Sequence, residues 1–237
     1  MFLNPEELRN DPKRLEEIEK ASLRLVVQAI YEYRAIAEET FREEPDLVAD
    51  IGEDITRESL DRLGMSKIDR RIFGKVDYKR ARYVFHPEYS IKQALFIDSK
   101  AEKVSGRGTA TLQTSQFSMS VRQIRSNQNL EVAGKLPAIL TLKNEAYITT
   151  TLFVKYNYQE ESNRNLLQSI TVAALPNGIL QEIYNPDVND TIFLAGRNAP
   201  TLGEEFRVRL NFSRLKSKSR WRVQQILMSP NDFVWDE

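Results

Sequence analysis

The spacing of apolar side chains changes part-way along this chain of 237 residues. Up to about residue 64, the apolar residues follow the 3.6-residue period of an α-helix. From about residue 72 they form short runs rich in β-branched and aromatic residues, separated by turn residues, which is typical of strands. This order predicts an α/β fold in which helices flank a mixed β-sheet, within one domain over residues 1–237.

Two helices are predicted before the β-rich part. Asn4 and Asp11 each precede a proline, an order that favours a helix N-terminus. Apolar residues then follow helical spacing from Leu15 to about Phe41, which predicts a long amphipathic helix. A second, short helix is predicted over residues 56–63, because its leucines share one face and a glycine follows.

The β-rich part contains several predicted strands. The second of them holds a continuous apolar run at residues 94–97, as expected of a strand buried on both faces. The predicted strands cover residues 75–85, 93–100, 146–158, 169–175, 191–194, 206–212 and 221–228.

Residue composition excludes several kinds of chemistry. With no cysteine, the chain forms neither disulfides nor thiolate metal sites. One histidine is too few for a histidine-rich zinc site or a Ser-His-Asp triad, and His86 is expected to be structural. Catalysis would therefore depend on carboxylates, lysine, hydroxyl groups or the backbone. No apolar run approaches the roughly 20 residues that span a bilayer, so we expect a cytoplasmic protein with no membrane partner.

Charge is distributed unevenly although the net charge is zero. The first 62 residues carry 17 acidic and 9 basic side chains, which leaves 17 acidic and 25 basic side chains in the remainder. Such a C-terminal excess suits phosphate binding, although a solvated basic face is the common alternative. The basic residues between positions 197 and 222 are Arg197, Arg207, Arg209, Arg214, Lys216, Lys218, Arg220 and Arg222.

The predicted strand at residues 93–100 ends in Asp98-Ser99-Lys100, and Asp77 lies on the predicted strand before it. Residues two apart on a strand point to the same side, so Asp98 and Lys100 are expected to converge. Carboxylates hold magnesium, which activates water for phosphodiester hydrolysis, and an ammonium orients the nucleophile or stabilises negative charge. An exposed, salt-bridged strand end is the alternative. Glu53 could add a carboxylate, or it could serve a helix N-terminus.

Ordered motifs make the chain similar to a known enzyme family. The segments Glu-Asp-Ile-Thr (53–56), Arg-Arg-Ile-Phe-Gly (70–74), Val-Asp-Tyr-Lys-Arg (76–80) and Ile-Asp-Ser-Lys-Ala (97–101) resemble the SfiI/BglI group of type II restriction endonucleases. Further similar segments are Thr-Leu-Gln-Thr-Ser-Gln (111–116), Leu-Pro-Asn-Gly (175–178), Tyr-Asn-Pro (184–186) and Phe-Arg-Val-Arg (206–209). The resemblance covers nearly the whole chain.

This resemblance implies the PD-(D/E)xK nuclease fold and assigns the site. It implies magnesium ligands at Asp77 and Asp98, with Ser99 as a further metal-site residue, and makes Lys100 the catalytic lysine. A valine stands where the family consensus has proline before the first aspartate, but that proline is not a ligand. The implied reaction is cleavage of double-stranded DNA at an interrupted, GC-rich palindrome, leaving 5′-phosphate and 3′-hydroxyl ends.

DNA contacts are expected on the strand at residues 206–212, where Arg207 and Arg209 share one face and apolar residues the other. Arginine pairs bidentately with guanine, so both are predicted to read bases, with Arg197 as a third candidate. Gln113 and Gln116 are further predicted DNA contacts. Most of the other basic residues after position 197 are expected to contact phosphates.

Cutting both strands of a palindrome predicts a homodimer, and the resemblance also allows a homotetramer. Two other functions fit the same residues. A repair or recombination nuclease would share the metal site but select DNA by its structure, whereas a non-enzymatic DNA-binding protein would bind without cutting.

Overall fold

The computed structural model describes residues 2–44, 48–62, 81–86, 88–104, 108–162, 164–195, 206–229 and 233–237. Across these stretches, no helix combines the length and the apolar character needed to cross a bilayer.

Two of the helices make up most of the N-terminal part. The long helix predicted near the N-terminus is confirmed: α1 spans Pro12–Glu43, and the Asp11 carboxylate caps it by accepting a hydrogen bond from the Arg14 amide at 3.1 Å. Asn4 likewise caps a preceding 3-10 helix, Pro5–Asn10. The remaining α-helices are α2 (Val48–Arg62), α3 (Gln181–Tyr184) and α4 (Phe212–Lys218).

Helix α2 is longer than the predicted residues 56–63 and begins eight residues earlier, at Val48. Gly52 lies inside this helix and does not precede it. A Cβ atom at Gly52 would lie 3.2 Å from Cδ2 of Tyr156 and 3.6 Å from the Ala101 amide nitrogen. The missing side chain therefore allows the helix to pack closely against the sheet, which explains a glycine in a helix interior.

Most predicted strands are confirmed, with shifted ends. The strands are β1 (Ala81–His86), β2 (Ile91–Lys103), β3 (Thr109–Gln113), β4 (Ser120–Arg125), β5 (Gln128–Ala133), β6 (Ile139–Leu142), β7 (Glu145–Glu161), β8 (Arg164–Leu175), β9 (Phe193–Ala195), β10 (Arg207–Asn211) and β11 (Val223–Leu227). Four of these, β3 to β6, were not among the predicted strands.

The central sheet is mixed, as predicted. Among the described residues its strand order is β1-β2-β7-β8-β11, with β6 also paired to β7. Strands β2 and β7 run parallel, while the other neighbouring pairs in this sheet are antiparallel. A smaller antiparallel sheet has the order β3-β10-β9, and β4 and β5 form a hairpin.

The two faces of the central sheet pack against different layers. Leu95 and Ile97 of β2 face α1 and α2, and join a buried core that extends through β7, β8 and β11. On the opposite face, Phe153 of β7 shares a core with Leu112 of β3 and Val208 of β10. The smaller sheet therefore covers the central sheet on the side away from the two long helices.

Candidate functional site

Strand β2 carries Asp98 and Lys100 on one face, as the two-residue spacing predicts. Asp98 is 5% exposed, and its Oδ2 lies 3.3 Å from Nζ of Lys100. The Lys100 side chain is 35% exposed, so its ammonium reaches solvent while the neighbouring carboxylate is buried. The structure thus brings together two of the predicted site residues on β2, which continues past the predicted end at Lys100 to Lys103.

The Lys100 ammonium also contacts two other strands. Its Nζ donates a hydrogen bond to the carbonyl oxygen of Thr111 on β3, at 2.6 Å. It lies 5.6 Å from the ring centroid of Phe153 on β7, a cation–π contact. Because β3 belongs to the smaller sheet, Lys100 lies where the two sheets meet.

A second lysine beside the site was not predicted. Lys155 on β7 pairs with Lys100 across the parallel ladder and is only 2% exposed. Its Nζ lies 2.6 Å from Oε2 of Glu102 and donates to the carbonyl oxygen of Thr109 at 3.1 Å. The place of Lys155 in the apolar run at residues 152–156 was a usable signal, since buried charges require partners.

Ser99 points to the other face of β2. Its hydroxyl is buried and donates to Oγ1 of Thr56 on α2 at 2.9 Å, and Thr56 in turn lies 2.8 Å from the Tyr156 hydroxyl. Burial raises the pKa of Tyr156, so this hydroxyl stays protonated. The Ser99 side chain therefore faces the helices, and a role in metal binding could involve only its main-chain carbonyl.

Glu53 lies in the interior of α2, on its exposed side. The alternative explanation that it serves a helix N-terminus is wrong, because the helix starts at Val48 and Asp50 is the acidic residue of its first turn. Helix α2 packs on the Ser99 face of β2, opposite to Asp98 and Lys100. A part for Glu53 in the site stays a prediction.

Three predicted residues fall wholly or partly outside the description. Asp77 and Arg197 lie outside the described residues. His86 ends β1, where its backbone pairs with Ile91, and its side chain is not described. Within the described stretches, no group of three or more His, Cys, Asp or Glu side chains is placed to hold a metal ion.

Strand β10 presents Arg207 and Arg209 on one face, while Val208 and Leu210 are buried on the other. This alternation was predicted and is confirmed. Nε and Nη2 of Arg209 both donate to the carbonyl oxygen of Ala195, at 3.1 and 2.7 Å. A guanidinium carries five N–H donors, and these two bonds use two of them.

Strand β3 lies beside β10 and ends at Gln113, and Gln116 ends the 3-10 helix that follows, Thr114–Gln116. Gln113 pairs with Arg207 in the ladder, and the main-chain amide of Gln113 donates to Oε1 of Gln116 at 2.7 Å. Arg125 of β4 donates from Nη2 to the Arg207 carbonyl at 2.7 Å, which ties the hairpin to this strand. Gln113 and Arg207 are therefore neighbours in the smaller sheet, and Gln116 lies beside them through its hydrogen bond with the Gln113 main chain.

The predicted basic surface requires one correction. Arg222 is fully buried and not a phosphate contact: its Nη2 lies 2.7 Å from Oε2 of Glu19. Lys218 and Arg220 are accessible, but each pairs with an aspartate, Asp190 or Asp236. Acidic neighbours therefore reduce the basic potential expected here from sequence.

Comparison with known proteins identifies the family. A family model described as "Type II restriction enzyme SfiI" matches residues 32–226. The chain belongs to this family. It is 36% identical, over 228 residues, to the type II restriction enzyme SfiI of Streptomyces fimbriatus, covering 90% of this chain and 84% of that protein. This SfiI-family chain is therefore a restriction endonuclease homologue.

Solved structures agree with the family assignment. The SfiI-family chain matches the crystal structure of tetrameric SfiI bound to cognate DNA with a TM-score of 0.77 and 31% identity, over 93% of this chain and 86% of that one. It also matches BglI bound to its DNA recognition sequence, with a TM-score of 0.77 and 17% identity, over 95% and 94% of the two chains. At that identity the BglI likeness concerns the fold, and it confirms the predicted restriction-endonuclease fold.

Proposed function

We propose that this SfiI-family protein cleaves double-stranded DNA in a magnesium-dependent reaction, with Asp77, Asp98 and Lys100 at the cleavage centre. The observation that carries the proposal is the contact of Asp98 with Lys100 in the C-terminal half of β2, 3.3 Å apart, with the carboxylate buried. A carboxylate and an ammonium at one point of a nuclease fold suit metal-assisted phosphodiester hydrolysis.

The donor set fits magnesium. This ion prefers hard oxygen ligands and is commonly held by one or two carboxylates together with water and phosphate oxygens. Asp98 supplies one buried carboxylate. Asp77 precedes Ala81 by four residues, about 14 Å of chain at most, and Ala81 pairs with Phe96, two residues from Asp98. Asp77 is therefore within chain reach as a second carboxylate.

Two further ligands belong to the same proposal. The Ser99 main-chain carbonyl is an additional oxygen donor on β2, and Glu53 would act from α2. When bound, magnesium supplies Lewis-acid activation of water and of the scissile phosphate.

Lys100 would act on the chemical step itself. Its ammonium is accessible, lies next to Asp98 and carries three N–H donors, so it can orient the attacking water and stabilise the charge that develops on the phosphate. The expected products carry a 5′-phosphate and a 3′-hydroxyl.

Recognition would come from the smaller sheet. Arg207 and Arg209 project from one face of β10, and arginine commonly pairs with O6 and N7 of guanine in the major groove. Gln113 lies opposite Arg207 and would contact DNA with Gln116. We propose an interrupted, GC-rich palindrome as the target, with cleavage inside the spacer to give 3′ overhangs and Arg197 as a third base contact.

A palindromic target also implies more than one subunit. Two subunits related by a two-fold axis would each cut one strand, and the solved SfiI structure is that of a tetramer. We propose a dimer as the minimum and a tetramer as the complete assembly.

Digestion of plasmid DNA tests the function. The purified protein and a plasmid are incubated with Mg²⁺, and the fragment ends are sequenced. Discrete fragments sharing one interrupted palindrome support the proposal. A smear, cutting only at branched or damaged DNA, or binding without cutting in Mg²⁺ would contradict it.

A further inference from the structure

Two lysines contact the same strand of the smaller sheet. Lys100 and Lys155 are paired residues of the parallel strands β2 and β7, so their side chains leave the same face of the sheet. Nζ of Lys100 donates to the carbonyl of Thr111, and Nζ of Lys155 donates to the carbonyl of Thr109. Both ammoniums therefore hold β3 against the central sheet.

The surroundings of the two lysines differ. The Lys155 side chain is 2% exposed and is fixed by Glu102, whose Oε2 lies 2.6 Å from its Nζ. The Lys100 side chain is 35% exposed and shares its ammonium between Asp98 and Thr111. Lys155 is thus a fixed contact, whereas Lys100 can reach a bound substrate.

Stability alone gives little reason for a buried lysine at this position. The neighbouring β7 residues Phe153, Val154 and Tyr156 are all fully buried. A buried ion pair is often no more stabilising than apolar residues of similar volume. Unlike an apolar side chain, however, an ammonium bound to Glu102 and to the Thr109 carbonyl fixes where β3 lies relative to β2 and β7.

We propose that Lys155, held by Glu102, is a positioning residue for Lys100. It holds β3 in the position at which the Thr111 carbonyl oxygen accepts a hydrogen bond from the Lys100 ammonium, beside Asp98. This inference rests on the proposed function, because it assigns Lys100 a role in cleavage. A displacement of about 1 Å in a catalytic group can cost on the order of 100-fold in rate, so loss of the anchor should slow the chemical step.

The test compares four variants in single-turnover cleavage of cognate DNA with enzyme in excess. Lys155→Met removes the ammonium, Lys155→Arg restores a cation, and Glu102→Gln removes the partner's charge. Lys103→Met is the matched control, since Lys103 follows Glu102 on β2 and its ion pair with Glu160 of β7 is exposed. DNA affinity is measured in Ca²⁺, and amide hydrogen exchange is followed in β3.

Lys155→Met is expected to lower the rate constant by about 30- to 100-fold, with DNA affinity in Ca²⁺ changed by less than about three-fold. Exchange in β3 should accelerate. Lys155→Arg should recover most of the wild-type rate constant. The rate constant of Glu102→Gln should lie between those of Lys155→Met and wild type, and that of Lys103→Met should equal the wild-type value. A purely structural role would lower the amplitude of cleavage, through misfolded enzyme, and leave the rate constant unchanged.

Two results would overturn the proposal while wild type cleaves normally. One is a wild-type rate constant in Lys155→Met, and the other is a fall in amplitude alone. If Lys155→Met does not fold, the rate constant of Glu102→Gln decides, and a wild-type value overturns the proposal. Wild-type protein that gives no discrete fragments would overturn the proposed function and this inference with it.

Discussion

Arg209 lies directly opposite Thr111 in the β3–β10 ladder, and the Thr111 carbonyl oxygen accepts the hydrogen bond from Lys100. One residue of β3 therefore contacts both the strand proposed to read bases and the lysine proposed to act in cleavage. A movement of β10 on binding DNA would displace β3, and with it the Thr111 carbonyl oxygen that accepts from Lys100. If both proposed roles hold, this connection would link DNA recognition to the chemical step.

We predict that Asp98→Asn and Lys100→Ala each abolish cleavage and leave specific DNA binding in Ca²⁺ largely intact. The reason is that metal binding and nucleophile positioning act on the chemical step, and Ca²⁺ can occupy the site without supporting the reaction. Cleavage is measured on plasmid DNA in Mg²⁺, and binding by titration in Ca²⁺. A near wild-type cutting rate in either variant would show that the assignment is wrong.

The sequence predicted the parts of the fold that have strong local signals. The cap and proline at Asp11 and the apolar series that follows correctly located α1. The apolar run before Asp98 correctly indicated a buried strand, and its two-residue spacing placed Lys100 on the same face. These features follow from local geometry, which one sequence contains.

One of the missed strands, β3, depends on long-range contacts, since it pairs with β10. Strand β3 is five residues long, with Ala110 and Leu112 as its buried apolar positions, too short an alternation to stand out from a loop. The contact between Lys155 and Glu102 joins strands far apart in sequence, and no local pattern predicts it. The close packing of Gly52 against Tyr156 is likewise a long-range contact.

Replacing Arg209 by alanine should weaken binding to the cognate site far more than to random DNA. A bidentate arginine–guanine pair contributes roughly 1–3 kcal/mol of discrimination, which corresponds to about 5- to 150-fold in affinity. Both affinities are measured by titration at one salt concentration. An equal loss on the two DNAs would make Arg209 a phosphate contact. Arg220→Ala is the control, because Arg220 is exposed and pairs with Asp236.

The number of subunits can be checked by the mass of the protein in solution and by its cleavage rate on plasmids with one or two recognition sites. Sedimentation at micromolar concentration should show at least a dimer, because a two-fold arrangement is the simplest way to cut both strands of a palindrome. A tetramer that engages two sites should cut plasmids with two sites faster than plasmids with one. A monomer mass would contradict the prediction, and equal rates on the two plasmids would favour the dimer.

Removing one partner of the buried pair of Glu19 and Arg222 should destabilise the protein strongly, because the remaining charge would have no access to water. Oε1 of Glu19 accepts a hydrogen bond from the main-chain amide of Asn177 at 2.8 Å, and Oε2 lies 2.7 Å from Nη2 of Arg222. Glu19→Ala would leave the Arg222 charge buried and remove the acceptor for Asn177, so it should lower the free energy of unfolding by about 3–5 kcal/mol.

Urea unfolding at one fixed protein concentration measures this loss, since association would otherwise shift the midpoint. Glu19→Gln keeps an oxygen for Asn177 and should cost less than Glu19→Ala. The double variant Glu19→Leu with Arg222→Met should recover part of the loss, because an apolar pair requires no compensating charge. If Glu19→Ala is as stable as wild type, the Arg222 charge finds compensation elsewhere, for example from Glu16, whose Oε1 lies 3.4 Å from its Nη2.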